Sequence, residues 1–363
     1  MNATAAGRAT PGRAQRAAGD GDREPTREER TAASAVLRMI SGIHISRAVY
    51  VAAELGIADR LAGGAASSAE LAAATQTHEP SLYRVLRLLA SLGVLAEHEA
   101  RSFSLTVLGD RLSSDVPASM RSWARLVDAV GGVRVFDPII HTVSTGEPGV
   151  DAAYGTGLFE FLAAHPANAA RFDAAMAERT SAFAPSVASA CDFTGVRTVV
   201  DVGGGRGTLL AEILRAHPGL RGILVETQAV AAAARPSLAA AGVAGRCDIV
   251  AADFFAGVPA GADRYLLANV LHDWDDDRAA AILDRCRRAM DPGGRVLIAE
   301  RLIPDDPEQA LPALLSDINM LVITGGMERT NAQYAELLAA AGLRLAQVTP
   351  AAPPYGVLEA VLA

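Results

Sequence analysis

"DVGGGRGTLLAEIL", residues 201–214, decides the fold. The run before it, "TVV", is β-branched and reads as a strand. Glycines at 203, 205 and 207 follow, and then apolar residues at helical spacing. A strand that empties into a glycine turn opening a helix lets a ligand lie directly against backbone. The dinucleotide spacing GxGxxG would want glycine at 208, where Thr208 stands. The pattern is instead GxGxG, with Asp201 two residues ahead of the first glycine.

Further runs repeat the strand signal. "GILVET", "CDIVAADFF", "DRYLLANVL", "GRVLIAERL", "LRLAQVTP" and "YGVLEAVLA" alternate with helical stretches, so a mostly parallel sheet covered on both faces is expected. Glu226 ends the second strand, about 20 residues after the glycines, where a ribose-binding acid belongs. Asp253 and Phe254 end the third: an acid to accept from an exocyclic amine and a ring to pack on a purine. Three strand ends then converge on one crevice at the carboxyl edge of the sheet.

The totals narrow the chemistry. At 363 residues the chain has room for two domains. Net charge is −8, which argues against a nucleic-acid partner. All 33 basic residues are arginine. The absence of lysine removes P-loop, kinase-lysine and Schiff-base mechanisms, and with the abundant alanine it suggests a GC-rich bacterial genome. The three cysteines, Cys191, Cys247 and Cys286, are scattered and fit neither a disulfide nor a zinc framework. No unbroken apolar run reaches the ~18 residues of a membrane helix, and no secretory signal is apparent, so a cytoplasmic protein without membrane partners is expected.

Residues 1–30 read as a disordered tail, with an arginine-bearing transit peptide as the alternative. Residues 31–118 have the outline of a winged helix-turn-helix: Ser67 or Ser68 caps one helix, Pro80 opens the next, Gly93 ends it, and a short hairpin follows. Arg84 and Arg87 are thin provision for reading a DNA groove. The largely apolar first helix points to dimerisation instead. Residues 119–190 read as a helical linker contributing to a substrate pocket, and 191–363 as the catalytic domain.

"LLANVLHDWDDD", residues 266–277, holds the candidate catalytic residue. Asp275, Asp276 and Asp277 suit the start of the next helix, but helix capping does not explain His272. A metal reading pairs His272 with Asp273 and wants further ligands that the sequence does not offer nearby, so no metal is expected. A base reading fits proton removal from a phenol of pKa ~10 by a group near 6.5.

DVGGGRG, DFF, LHDWDDD, DPGGRVLIAE and GGMERT occur in that order and spacing, and with them residues 31–363 resemble the S-adenosylmethionine-dependent O-methyltransferases of the caffeate and isoflavone type, closest in style to bacterial enzymes of aromatic antibiotics. The resemblance implies an α/β Rossmann-like class I methyltransferase domain with an N-terminal all-α winged-helix dimerisation domain, a homodimer, and O-methylation of a phenolic hydroxyl. S-adenosylmethionine is the implied cofactor, held by Asp201, Gly203, Gly205, Glu226, Asp253, Phe254 and Asn269. His272 is the implied base, flanked by Glu300, Glu328 and Asp273. Phe172, Met176 and Met320 match residues that bracket an aromatic acceptor, with Asp317 and Asn319 beside them. Trp123, Phe136 and His141 are further pocket candidates. Asn168 stands where an aromatic clamp is usual, with Ala164 one turn before, which implies a wider, more polar pocket for a polycyclic or amide-bearing acceptor. C- or N-methylation, or hydroxylation or decarboxylation on the same fold, is the alternative chemistry, and a winged-helix regulator the distant one.

Overall fold

The computed structural model describes residues 24–129 and 132–363. The tail expected over residues 1–23, and the transit-peptide alternative with it, lie outside the described residues. The described residues up to 47 and those from 48 onward form two separate compact units.

Helix α1 (Arg27–Ile40) begins inside the segment expected to be tail. The reason is a capping box: Thr26 Oγ1 accepts from Glu29 N, and Glu29 reaches back to Thr26 N. Its apolar side chains Val36, Leu37, Met39 and Ile40 are exposed. With α2 (Gly42–Glu54) it makes residues 27–54 the one stretch, among the described residues, long and apolar enough to cross a bilayer by length and composition. Arg38, Ser41 and His44 interrupt its apolar run, which is why no unbroken run was visible in the sequence.

The winged-helix reading holds in outline. Helices α3 (Ile57–Leu61), α4 (Ser68–Thr75) and α5 (Glu79–Ser91) pack with the strands β1 (Ala66–Ser67), β2 (Leu95–His98) and β3 (Ser102–Leu105) around Leu71, Leu82, Leu86, Leu89 and Phe103. Ser67, not Ser68, caps α4. The three-stranded sheet, ordered β1-β3-β2, means this part is largely rather than entirely helical.

Helices α6 (Val107–Asp110), α7 (Arg121–Ala129), α8 (Gly132–Phe136), α9 (Ile139–Thr145), α10 (Gly149–Tyr154), α11 (Leu158–Ala164) and α12 (Pro166–Ala190) lead to the large sheet. There all seven expected strands form: β4 (Thr198–Val202), β5 (Arg221–Glu226), β6 (Cys247–Ala251), β7 (Arg264–Ala268), β8 (Arg295–Arg301), β9 (Leu343–Pro350) and β10 (Tyr355–Leu362), in the order β6-β5-β4-β7-β8-β10-β9. Five run parallel, and β10 is inserted antiparallel between β8 and β9. The helices α13 (Thr208–Ala216) and α14 (Gln228–Ala240) share a core with α12 on one face, while α15 (Asp276–Ala289) and α17 (Asn331–Ala340) pack on the other. Helix α16 (Leu311–Ile323) precedes the last of these.

The strand order reverses between β4 and β7, which pair directly, Val199 with Arg264 and Asp201 with Leu266. The glycine turn leaves β4 and the His272 loop leaves β7. A topological switch point is where an open α/β sheet makes its crevice, so chain topology alone brings the two motifs side by side.

Candidate active site

Gly203, Gly205 and Gly207 have φ of +69°, +60° and +74°, conformations that cost glycine nothing. A Cβ on Gly203 would lie 3.0 Å from Val270 and 3.5 Å from Phe254. The turn therefore closes tightly against a residue two places before His272. Gly205 N donates to Glu226 Oε1 at 2.9 Å, and Glu226 Oε2 accepts from Thr227 N at 2.8 Å. Burial raises the Glu226 carboxyl above its ordinary value, ahead of the two amides that lower it. Asp253 Oδ1 accepts from Phe255 N at 2.9 Å, fixing that side chain at the strand end. Phe254 packs partly buried between Phe255 and Trp274. A backbone cradle, two carboxylates at successive strand ends and a ring beside them fit the adenosine and amino-acid parts of S-adenosylmethionine.

Asp201 lies beneath this floor. Its side chain is 1% exposed, and a Cβ on Gly204 would meet Asp201 Oδ2 at 2.2 Å. Neither carboxylate oxygen has a hydrogen-bond partner. Burial, then the charge of Glu226, raises it to about 7. It underlies the turn, away from where the sequence reading placed it.

His272 sits in a short 3₁₀ turn, Leu271–Asp273, and is buried. Its Nδ1 lies 3.0 Å from Glu328 Oε1 and 3.6 Å from Glu300 Oε2, and its Nε2 lies 3.7 Å from Asp273 Oδ1. All four expected residues come together. Glu300 Oε1 accepts from Val270 N and Leu271 N at 3.0 and 2.9 Å, so it also fixes the backbone that presents the imidazole. Burial works to lower the His272 proton affinity, but Glu300, Asp273 and Glu328 outweigh it and raise the group to about 9. Burial raises Glu300 to about 7 and raises Asp273 in the same direction. The ligand atoms of His272, Glu300 and Glu328 lie within 4.8 Å of one another, close enough to hold a metal ion. The sequence reading places Glu300 and Glu328 beside the histidine as acids flanking a base, and does not count them as metal ligands.

Several residues of this network were not visible in the sequence. Ser316 Oγ donates to Glu328 Oε1 at 2.7 Å. Asp317, expected to read substrate, accepts from Glu328 N at 2.9 Å and so also supports the acid. Arg329 is 1% exposed and donates to the carbonyls of Leu271 (3.1 Å) and Trp274 (2.9 Å) and to Asp276 Oδ1 (2.8 Å), bracketing the His272 turn. Asp275 caps α15 through Arg278 N, as the capping reading held for the three acids.

Of the residues expected to meet the acceptor, Phe172 and Met176 are partly buried on α12, Met320 is buried on α16, and Asn319 is partly buried before it. Asn269, at φ +51°, accepts from Tyr355 Oη at 3.1 Å. Trp123 lies under Arg179, 5.0 Å from its ring centroid. Phe136 packs in the helical cluster of Val135, Val150 and Phe161. His141 turns outward: it is 45% exposed and bonds Glu147, past the end of α9, at 2.9 Å.

Residues 137–344 match an O-methyltransferase domain, and residues 37–137 an O-methyltransferase dimerisation domain. The chain is 43% identical to the phenazine O-methyltransferase of Lysobacter antibioticus over 90% of its own length and 95% of that enzyme's. It is 38% identical to the 2,7-dihydroxy-5-methyl-1-naphthoate 7-O-methyltransferase of Streptomyces carzinostaticus, covering 86% of this chain and 94% of that one. A solved O-methyltransferase of neocarzinostatin biosynthesis, in complex with S-adenosylmethionine and a hydroxy-methyl naphthoic acid, superimposes with a TM-score of 0.77 at 37% identity, over 88% of this chain and 96% of that one.

Proposed function

The chain belongs to the S-adenosylmethionine-dependent O-methyltransferases, and on that footing we propose that it methylates a phenolic hydroxyl of an aromatic natural product or its precursor, with His272 as general base. The observation that carries this reading is the buried imidazole whose Nδ1 meets Glu328 at 3.0 Å and Glu300 at 3.6 Å. Nδ1 is hydrogen-bonded to Glu328, whereas Nε2 has only Asp273 Oδ1 at 3.7 Å, beyond hydrogen-bond reach, so Nε2 is the nitrogen left for a substrate proton.

The bound cofactor supplies an electrophilic methyl on a sulfonium. A phenol of pKa ~10 is a weak nucleophile at neutral pH, and proton removal by a placed base contributes typically ~10²–10⁴-fold. As the methyl leaves sulfur for the phenolic oxygen, with S-adenosylhomocysteine as the leaving group, His272 Nε2 would take the phenolic proton, and Glu328 and Glu300 would stabilise the imidazolium that results. Without ligands those carboxylates hold His272 at about 9. A positive charge bound beside it would lower that affinity, since like charges disfavour the protonated form. A cofactor held in the cleft would thereby favour the neutral imidazole that can accept a proton. Burial of His272, Glu300 and Glu328 keeps the reacting charges out of water, and holding acceptor and methyl in line contributes ~7–11 kcal/mol.

Relatives named for phenazine and naphthoate acceptors support a fused aromatic ring as the acceptor class. Asn168, where an aromatic clamp is usual, with Ala164 one turn before it, leaves it room. The exposed apolar residues of α1 and the match of residues 37–137 support a homodimer through the N-terminal part. Labelled S-adenosylmethionine offered with a panel of fused-ring phenols tests the reaction. Transfer that survives His272→Ala undiminished refutes the base.

A further inference from the structure

Phe172, Met176 and Arg179 follow one another on α12 at spacings of four and three, which places them on one face. Arg179 Nε and Nη2 donate to Tyr355 Oη at 3.3 and 3.2 Å, and Nη2 reaches Asn269 Oδ1 at 3.5 Å. Its guanidinium stands 5.0 Å over the Trp123 ring. Every one of these partners is neutral.

The neighbouring guanidiniums differ. Arg206 faces Asp173 at 3.7 Å, Arg171 faces Glu54 at 3.7 Å, Arg301 faces Glu328 at 3.8 Å and Arg329 faces Asp276 at 2.8 Å. Among the described residues Arg179 has no carboxylate within ion-pair distance, and Asp273 feels its charge only from further off. Its Nη1 is engaged by none of the bonds above. A partly buried cation held by neutral acceptors, with part of its donor fork unused, lacks a counter-charge that a ligand can bring. The surrounding site is acidic, with Glu300, Glu328, Asp273 and Asp317 close together, so an anionic ligand needs one cation set apart for it.

We propose that Arg179 is a carboxylate receptor, pairing with a carboxylate of a ligand bound beside His272. Two ligands carry that chemistry: an acceptor whose ring bears a carboxylate, and the amino-acid end of the cofactor. The first deepens the reading given under Proposed function and rests on it; the second does not.

The test compares the native protein with Arg179→Gln and Arg179→Lys on a hydroxynaphthoate, on the hydroxynaphthalene that lacks its carboxylate, and on S-adenosylhomocysteine binding by calorimetry. If the acceptor supplies the carboxylate, native protein favours the hydroxynaphthoate in KM by about tenfold to a hundredfold. Arg179→Gln then loses that preference, Arg179→Lys keeps part of it, and S-adenosylhomocysteine binds as before. If the cofactor supplies it, S-adenosylhomocysteine binding weakens by a like factor and acceptor preference stays. Variants that melt like the native protein and move neither measurement overturn the proposal. Should Arg179→Gln not fold, Arg179→Lys decides by the same two readouts. Native protein that methylates neither acceptor sinks the functional reading, while the calorimetric arm still reports on Arg179.

Discussion

Glu328 Oε1 stands 3.0 Å from His272 Nδ1 across 56 residues of sequence, and the same oxygen accepts from Ser316 Oγ at 2.7 Å. The acid is thus held by a second element, α16, while it orients the ring. Glu328→Gln keeps the shape and removes the charge that favours imidazolium. We expect kcat to fall by about tenfold to a hundredfold, and His272→Ala to cost ~10²–10⁴-fold. S-adenosylhomocysteine affinity should stay near native in both. An unchanged kcat in Glu328→Gln would leave the acid with a purely structural part.

The same cluster makes stability depend on pH in a definite direction. His272 is raised from 6.5 to about 9 in the fold, so its contribution is complete below 6.5 and is lost as pH rises through 9. Asp201 and Glu300 are raised to about 7 from ordinary values of 3.8 and 4.5, so the stability linked to their protonated forms is lost as pH climbs through 7. All three slopes have one sign. The melting temperature of the ligand-free protein should decline between pH 5 and 9, and His272→Gln should flatten the upper part of the decline. A melting temperature that rises over that range would contradict the assignment.

Much of this was legible beforehand, for identifiable reasons. The central strands of the large sheet, β4, β7, β8 and β10, announce themselves because short apolar runs bounded by turn residues suit a sheet covered on both faces. The glycines at 203, 205 and 207 stand where positive φ requires them. His272 was legible because no capping role accounts for an imidazole. What stayed hidden is held by partners distant in sequence. Nothing near Arg329 in the chain says it will clamp a turn more than fifty residues earlier, and Tyr355 reads only as the first residue of a strand. The insertion of β10 between β8 and β9 leaves no periodicity of its own. Asp201 was misplaced because its position fits the cofactor pattern, whereas the turn folds over its carboxylate. His141 was misplaced because α9 points it outward to Glu147.

Arg329 carries the next prediction. Its guanidinium holds Leu271 O and Trp274 O on either side of His272, and Glu328 is its chain neighbour. Arg329→Met strands one buried and one partly buried carbonyl and should destabilise the protein by on the order of 3 kcal/mol, read from the denaturant midpoint. Arg329→Lys retains the charge but not the fork. It should remain folded, with a lowered kcat and an acid limb of the pH–rate profile shifted relative to native. A profile that does not move would make Arg329 a packing residue only. Asp276→Asn, altering an exposed partner, should change either readout little.

The closest backbone approach in the site supplies the last test. A Cβ at Gly326 would lie 2.0 Å from His272 O, 2.6 Å from Asp273 C and 2.8 Å from Trp274 N, all of them backbone atoms with no freedom to swing aside. Met327 N donates to that same His272 carbonyl at 3.0 Å, so the two loops meet as a fixed seam. In Gly326→Ala the methyl must push the His272 turn off the GGMERT loop, at a cost of about 1–3 kcal/mol in overpacking. The turn carries the imidazole with it, and orientation-dependent catalysis falls steeply with small displacements. We therefore expect kcat to drop much further than stability does, with S-adenosylhomocysteine still bound. Gly293→Ala is the matched control, because a Cβ there meets nothing within 4 Å. If both alanine variants turn over alike, the seam between residues 272 and 326 is not what sets the base in place.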